Sequence, residues 1–157
     1  RSRRQRQMCI RDSILPILIA ILLSATSAGA HCQVPCGIYG DELKFGELEQ
    51  HIGTINKAGA QIRSISSKDS SNAQEQQQIV RWTTNKETHA QKVIDEAANY
   101  FLAQRILPKA DHYEKKVELL HHIIVYAMKS KQSAESEPAQ ILATKLSTFK
   151  RLYLDHD

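Results

Sequence analysis

The sequence predicts an all-α fold, an antiparallel four-helix bundle preceded by an irregular N-terminal segment. Two observations carry this. Beyond Gly40, apolar residues recur at helical spacing in four separate stretches, with little strand alternation. Short polar breaks separate the stretches, and short links between amphipathic helices make chain neighbours antiparallel.

In the first stretch Phe45, Leu48, Ile52, Ile55 and Ile62 step by 3, 4, 3 and 7, with Gly59 at the skipped position. A polar loop from Ser66 to Asn72 ends it. The second stretch, near Asn72–Leu107, carries Trp82, His89, Val93, Ala97 and Tyr100. Asn72 and Glu75 have capping-box spacing at its start, and Pro108 closes it. Its length predicts a helix projecting beyond the others. Asp111 and Glu114 repeat the capping-box spacing before Val117, Leu120, Ile124 and Ala127. After a break at Ser130–Pro138, Pro138 suits a first helical turn, and Leu142, Leu146, Phe149 and Leu152 follow. Trp82 and Met128 read as core, and His89 as a core histidine with a partner. Adjacent His121 and His122 point away from any common ion.

The N-terminus differs in kind. Five arginines lie in residues 1–12, Ile14–Leu23 is apolar, and small residues end in Ala28-Gly29-Ala30. This is the pattern of a secretory signal peptide cleaved after Ala30. The apolar run is half the roughly 20 residues that span a bilayer. Residues 1–13, containing RQRQMCIRDS, read like translated adapter sequence. The expected organisation is a leader or propeptide over 1–30, a hook over 31–39 and the bundle over 40–157. The whole chain carries a formal charge of +4. Without residues 1–30 it has sixteen basic and sixteen acidic residues. No basic patch then argues for nucleic acid, and no membrane contact is expected after cleavage.

The new N-terminus would read His31-Cys32-Gln33-Val34-Pro35-Cys36-Gly37-Ile38-Tyr39. Pro35 and Gly37 supply a turn that lets two thiols face one point. Thiolates are soft ligands, suited to copper(I), zinc, nickel or iron–sulfur. Cleavage adds a primary amine with a pKa near 8, easily deprotonated by a metal. The His31 amine and the Cys32 amide nitrogen belong to one five-membered chelate ring, and Cys32 and Cys36 add two sulfurs. A planar set of this kind suits nickel(II) or copper(II), with the His31 imidazole within axial reach.

This stretch resembles the nickel superoxide dismutases, whose mature chains begin H-C-x-x-P-C-G-x-Y. His31, Cys32, Pro35, Cys36, Gly37 and Tyr39 match all six fixed positions. The resemblance implies an oxidoreductase with a nickel ion as cofactor. It would convert superoxide to dioxygen and hydrogen peroxide while nickel alternates between the +2 and +3 states. The implied metal ligands are His31, Cys32 and Cys36. Tyr39 would guard the open face, and Tyr100, before Phe101, corresponds to a second tyrosine. Glu47 falls at the spacing of the acidic residue that hydrogen-bonds the hook histidine. The family also implies a homohexamer with hooks near subunit contacts, a processing protease and a nickel-delivery factor. A family-type propeptide would keep the protein cytoplasmic, whereas the apolar leader points to export into a periplasm, lumen or exterior.

Two positions depart from the pattern. Gln33 stands where Asp is frequent. The Arg that braces the acidic residue in the best-known members is replaced near Asn85, with Lys86 beside it. Two other classes stay open at this point. One is an exported helical binding or structural protein whose Cys32 and Cys36 form a disulfide. The other is a copper site built on an N-terminal His, which needs a second facing His. There is no Ser-His-Asp pattern and no glycine-rich phosphate loop.

Overall fold

The structure is a computed structural model that describes residues 41–70 and 72–155. The expected leader and the hook residues His31, Cys32, Cys36 and Tyr39 lie outside the described residues. Four helical segments make up the fold, with no strand among the described residues. Helix α1 spans Glu42–Ser66. Helix α2 spans Ala73–Asp95 and continues as a π-helical stretch, Glu96–Arg105. Helix α3 spans Tyr113–Gln132, and α4 spans Glu137–Leu154. Each helix packs against its neighbours in sequence, and α1 packs against α4, which closes the ring. Side-chain pairs run in opposite senses along adjacent helices: His51 meets His89 while Lys44 meets Glu96, and Asp41 meets Tyr153 while Glu49 meets Lys150. The bundle is therefore antiparallel, as the short links required.

The α2 capping box forms as predicted. Asn72 Oδ1 accepts from the Glu75 N–H at 3.0 Å, and Glu75 Oε2 accepts from the Asn72 N–H at 3.1 Å. The second one does not form. His112 takes the N-cap position of α3 with φ 54°, in the left-handed region, and no side chain caps the helix. Lys109, at φ 84°, turns the chain just before it. The Asp111–Glu114 spacing fits a capping box, but the turn starts α3 one residue later.

The core holds the predicted α1 stripe, Phe45, Leu48, Ile52, Ile55 and Ile62, all buried. Gly59 has a reason to be glycine: an added Cβ would lie 3.3 Å from Arg63 Nη1 and 3.5 Å from the Ala134 carbonyl. Arg63 itself donates to that carbonyl, tying α1 to the α3–α4 link. In α3 the stripe is rotated, so that Leu119 and Ile123 are buried while Val117 and Ile124 are only partly covered. Two core expectations are corrected. Met128 is 41 % exposed, and Trp82 is half-buried outside the core. The first buried residue of α2 is Lys86, and the turns before it, with Trp82, lie outside the core cluster. No described helix is long and apolar enough to cross a membrane.

Candidate functional site

Asp41 stands one residue before α1. Its carbonyl accepts from the N–H groups of Lys44 at 3.1 Å and Phe45 at 3.2 Å, so the backbone starts the helix. Its carboxylate does not cap that helix. It turns into the end of the bundle, where Oδ1 accepts from the Tyr100 hydroxyl and Oδ2 from the Tyr153 hydroxyl. Arg105 donates to the same Oδ1 from Nη2 at 2.7 Å and from Nε at 3.1 Å. One carboxylate thus ties the start of α1 to the end of α2 and the end of α4.

The π-helical stretch makes this convergence possible. On an α-helix, residues five apart point about 140° away from each other. In a π-helix the hydrogen bonds close from i to i+5, so Tyr100 and Arg105 lie about one turn apart. The stretch ends with the Ile106 N–H donating to the Phe101 carbonyl at 2.9 Å, a bond of that same span. Beneath the carboxylate lies an aromatic floor. Phe45, Phe101, Phe149 and Tyr153 pack with centroids 5.0 to 5.7 Å apart, which takes in all three phenylalanines of the chain. Tyr100 meets Phe101 edge-on at 5.2 Å. Such a floor excludes water and strengthens the hydrogen bonds above it.

Burial pushes the Asp41 carboxyl up, but the hydrogen bonds from Tyr100, Tyr153 and Arg105 outweigh it and hold the group below its ordinary value. Burial and the adjacent Asp41 charge push the Tyr100 phenol up, so it stays a protonated donor. The hydrogen bond to Asp41 leads the causes that hold Arg105 firmly charged.

Lys44, one turn along α1, is buried. Its Nζ donates to Glu47 Oε2 at 3.0 Å and Glu96 Oε1 at 2.9 Å. It also lies 5.4 Å from the Tyr100 ring centroid. Burial lowers the affinity of Lys44 for its proton, and the two carboxylates more than restore it. Lys44 thus links Glu47 and Tyr100, the two expected site residues among those described. Glu47 is exposed, and its cationic partner is Lys44 rather than a residue near position 85. Lys86 is committed elsewhere. Its Nζ is buried and donates to the carbonyls of Ser130, Lys131 and Ser133, at 2.5, 2.9 and 2.8 Å. It closes the C-terminus of α3, and Asn85 is exposed.

Asp41, Arg105 and Tyr153 escaped the sequence reading. Tyr153 was the most accessible of them, since it continues the Phe149 face by a step of four. Asp41 follows Gly40 ahead of a helix, where an acidic residue ordinarily caps. Arg105 lies on the wrong face for α-helical spacing. Among the described residues, no group of three or more His, Cys, Asp or Glu side chains is placed to hold a metal ion.

The fold and its polar knot define a class: a four-helix protein that fixes the point where its N-terminal segment joins the bundle. The family model for nickel-containing superoxide dismutase matches residues 26–157, and the chain belongs to that family. It is an oxidoreductase with nickel as its cofactor and superoxide as its substrate. No curated protein and no solved structure matches the chain.

Proposed function

We propose that the chain dismutes superoxide at a nickel ion bound by its own processed N-terminus. The observation that carries this is the family match itself, which begins upstream of His31 and so contains the whole H-C-x-x-P-C-G-x-Y stretch. The donor set fits nickel: a deprotonated amide nitrogen and two thiolates are anionic, the thiolates are soft, and a neutral amine completes four donors. His31 supplies the amine and the imidazole, Cys32 the amide nitrogen and one thiolate, and Cys36 the other thiolate. Nickel held there supplies one-electron chemistry by alternating between the +2 and +3 states. Two superoxide ions and two protons become dioxygen and hydrogen peroxide.

The side chains divide the remaining work. Tyr39 stands two residues before Asp41, so anchoring Asp41 limits how far Tyr39 can stray. Tyr39 screens the open face and holds water or the incoming anion. Tyr100 donates a hydrogen bond to Asp41. It is therefore a positioning residue, acting on the hook through the Asp41 anchor. Glu47 orients the His31 imidazole, and Lys44 holds Glu47 by a salt bridge. The apolar leader and Ala28-Gly29-Ala30 support export, with cleavage by a protease that exposes His31 before a delivery factor loads nickel. Assembly is homohexameric, as in the family.

The test compares superoxide decay by a chain beginning at His31 with one carrying an extra N-terminal Ala, each given one nickel per chain. Fast decay by the first and almost none by the second is expected, because the added peptide bond removes the amine. Equal activity refutes the processed-terminus reading. Inactivity of both, with Cys32 and Cys36 lost to thiol titration, favours the disulfide alternative.

A further inference from the structure

His51 lies on α1 and faces His89 across the interface with α2. Their Nδ1 atoms are 3.1 Å apart. The ring centroids are 4.9 Å apart and the planes are inclined at 76°. Two rings pointing nose to nose along one line would hold their centroids further apart, so the ring axes meet at an angle. Two imidazole nitrogens bound to one ion at about 2.0–2.1 Å, at angles between those of a square plane and a tetrahedron, lie about 2.8–3.4 Å apart. The observed separation falls in that range.

A second observation concerns Glu96. Its Oε1 is taken by Lys44, while its Oε2 is buried and has no hydrogen-bond partner. A buried carboxylate oxygen without a protein partner takes a water or an ion. The Glu96 charge is felt at His51.

We infer that His51 and His89 form a binding site for a divalent metal ion of the zinc, nickel or copper(II) type. Each imidazole binds through Nδ1, and Glu96 Oε2 is the carboxylate oxygen available to complete a third contact. Bringing Glu96 in requires its side chain to turn from Lys44 toward the pair, and water fills the remaining position. Imidazole nitrogen suits all three ions. Both rings are half-buried, which leaves a path from solvent. Burial holds both imidazoles below their ordinary value, so they are neutral ligands at pH 7. The charges acting on the pair are Glu47, Glu96 and Lys92, with Lys44 bridging the two carboxylates. These balance, so affinity must come from coordination rather than from the local field. The site uses no donor from the N-terminal segment.

The probe is Zn2+ added to the full chain with Cys9→Ser, Cys32→Ser and Cys36→Ser, which removes competing thiolates. Calorimetric titration is expected to show a site that either His51→Gln or His89→Gln weakens about tenfold or more, because each leaves one imidazole where two chelated. Nitrogen-15 spectra of the three-serine chain read the same site without touching either histidine. The Nδ1 signals of His51 and His89 should shift together on Zn2+ addition. Zn2+ affinity equal in all these chains, or ring signals unmoved by Zn2+, overturns the site and leaves a plain N–H···N hydrogen bond.

Discussion

Replacing Asp41 with Asn keeps the size of the side chain and removes its charge. The guanidinium of Arg105 then has no counter-ion, and one of the two phenols meets an N–H group instead of an acceptor. Breaking a fully buried ion pair on one side costs about 3–5 kcal/mol. Here the Asp41 side chain is 12 % exposed and that of Arg105 27 %. Water relieves part of the loss, and we expect about 2–3 kcal/mol. At roughly 4 °C per kcal/mol for a domain of this size, Tm should fall by about 8–12 °C. Urea denaturation followed by circular dichroism reads the free energy directly. The pH dependence supplies a second check. Asp41 is held below its ordinary 3.8, so its stabilisation is complete above that value. It is lost as pH falls through the lower folded value. The gap between wild type and variant should therefore close in strong acid. A loss under about 0.5 kcal/mol at pH 7, or a gap that persists at the lowest pH, would refute the reasoning.

Three further outcomes follow from the same geometry. Phe101→Ala, which opens the aromatic floor, should cost about 3–5 kcal/mol in the same urea assay. Lys86→Met leaves three carbonyls without their donor; it should cost about 2–4 kcal/mol, with faster amide exchange confined mainly to the end of α3 and the following link. Cys32→Ser in a chain beginning at His31 should abolish nickel retention on desalting, measured by elemental analysis, while the helical circular dichroism stays unchanged.

The four helices were legible because burial writes its own spacing into α1 and α4. Trp82 and Met128 show where that signal stops. An apolar residue announces that it can be buried, not that it will be, and the turns of α2 before Lys86 hold no buried residue. The failed capping box at Asp111 has a similar cause. Spacing names the partners, but the left-handed turn at Lys109 and His112 decides where α3 begins. At the site, Tyr100 was found through its neighbour Phe101 and the family pattern. Its partner Asp41 was hidden by looking like an ordinary cap. Arg105 was hidden because helical spacing was assumed to be uniform along α2. Lys86 looked like a displaced brace, whereas its three bonds to carbonyls show that it closes a helix instead.

The π-helical stretch also has a genetic meaning. One residue removed from between Tyr100 and Arg105 would let the segment return to the α form with its termini nearly in place. Arg105 would then stand four positions from Tyr100, and every residue after the deletion would keep its face of the bundle only by giving up the wider turn. The anchor at Asp41 should therefore survive the loss of that one codon, because positions four apart on an α-helix share a face. Length, rather than residue type, is the variable to watch when related chains are compared here.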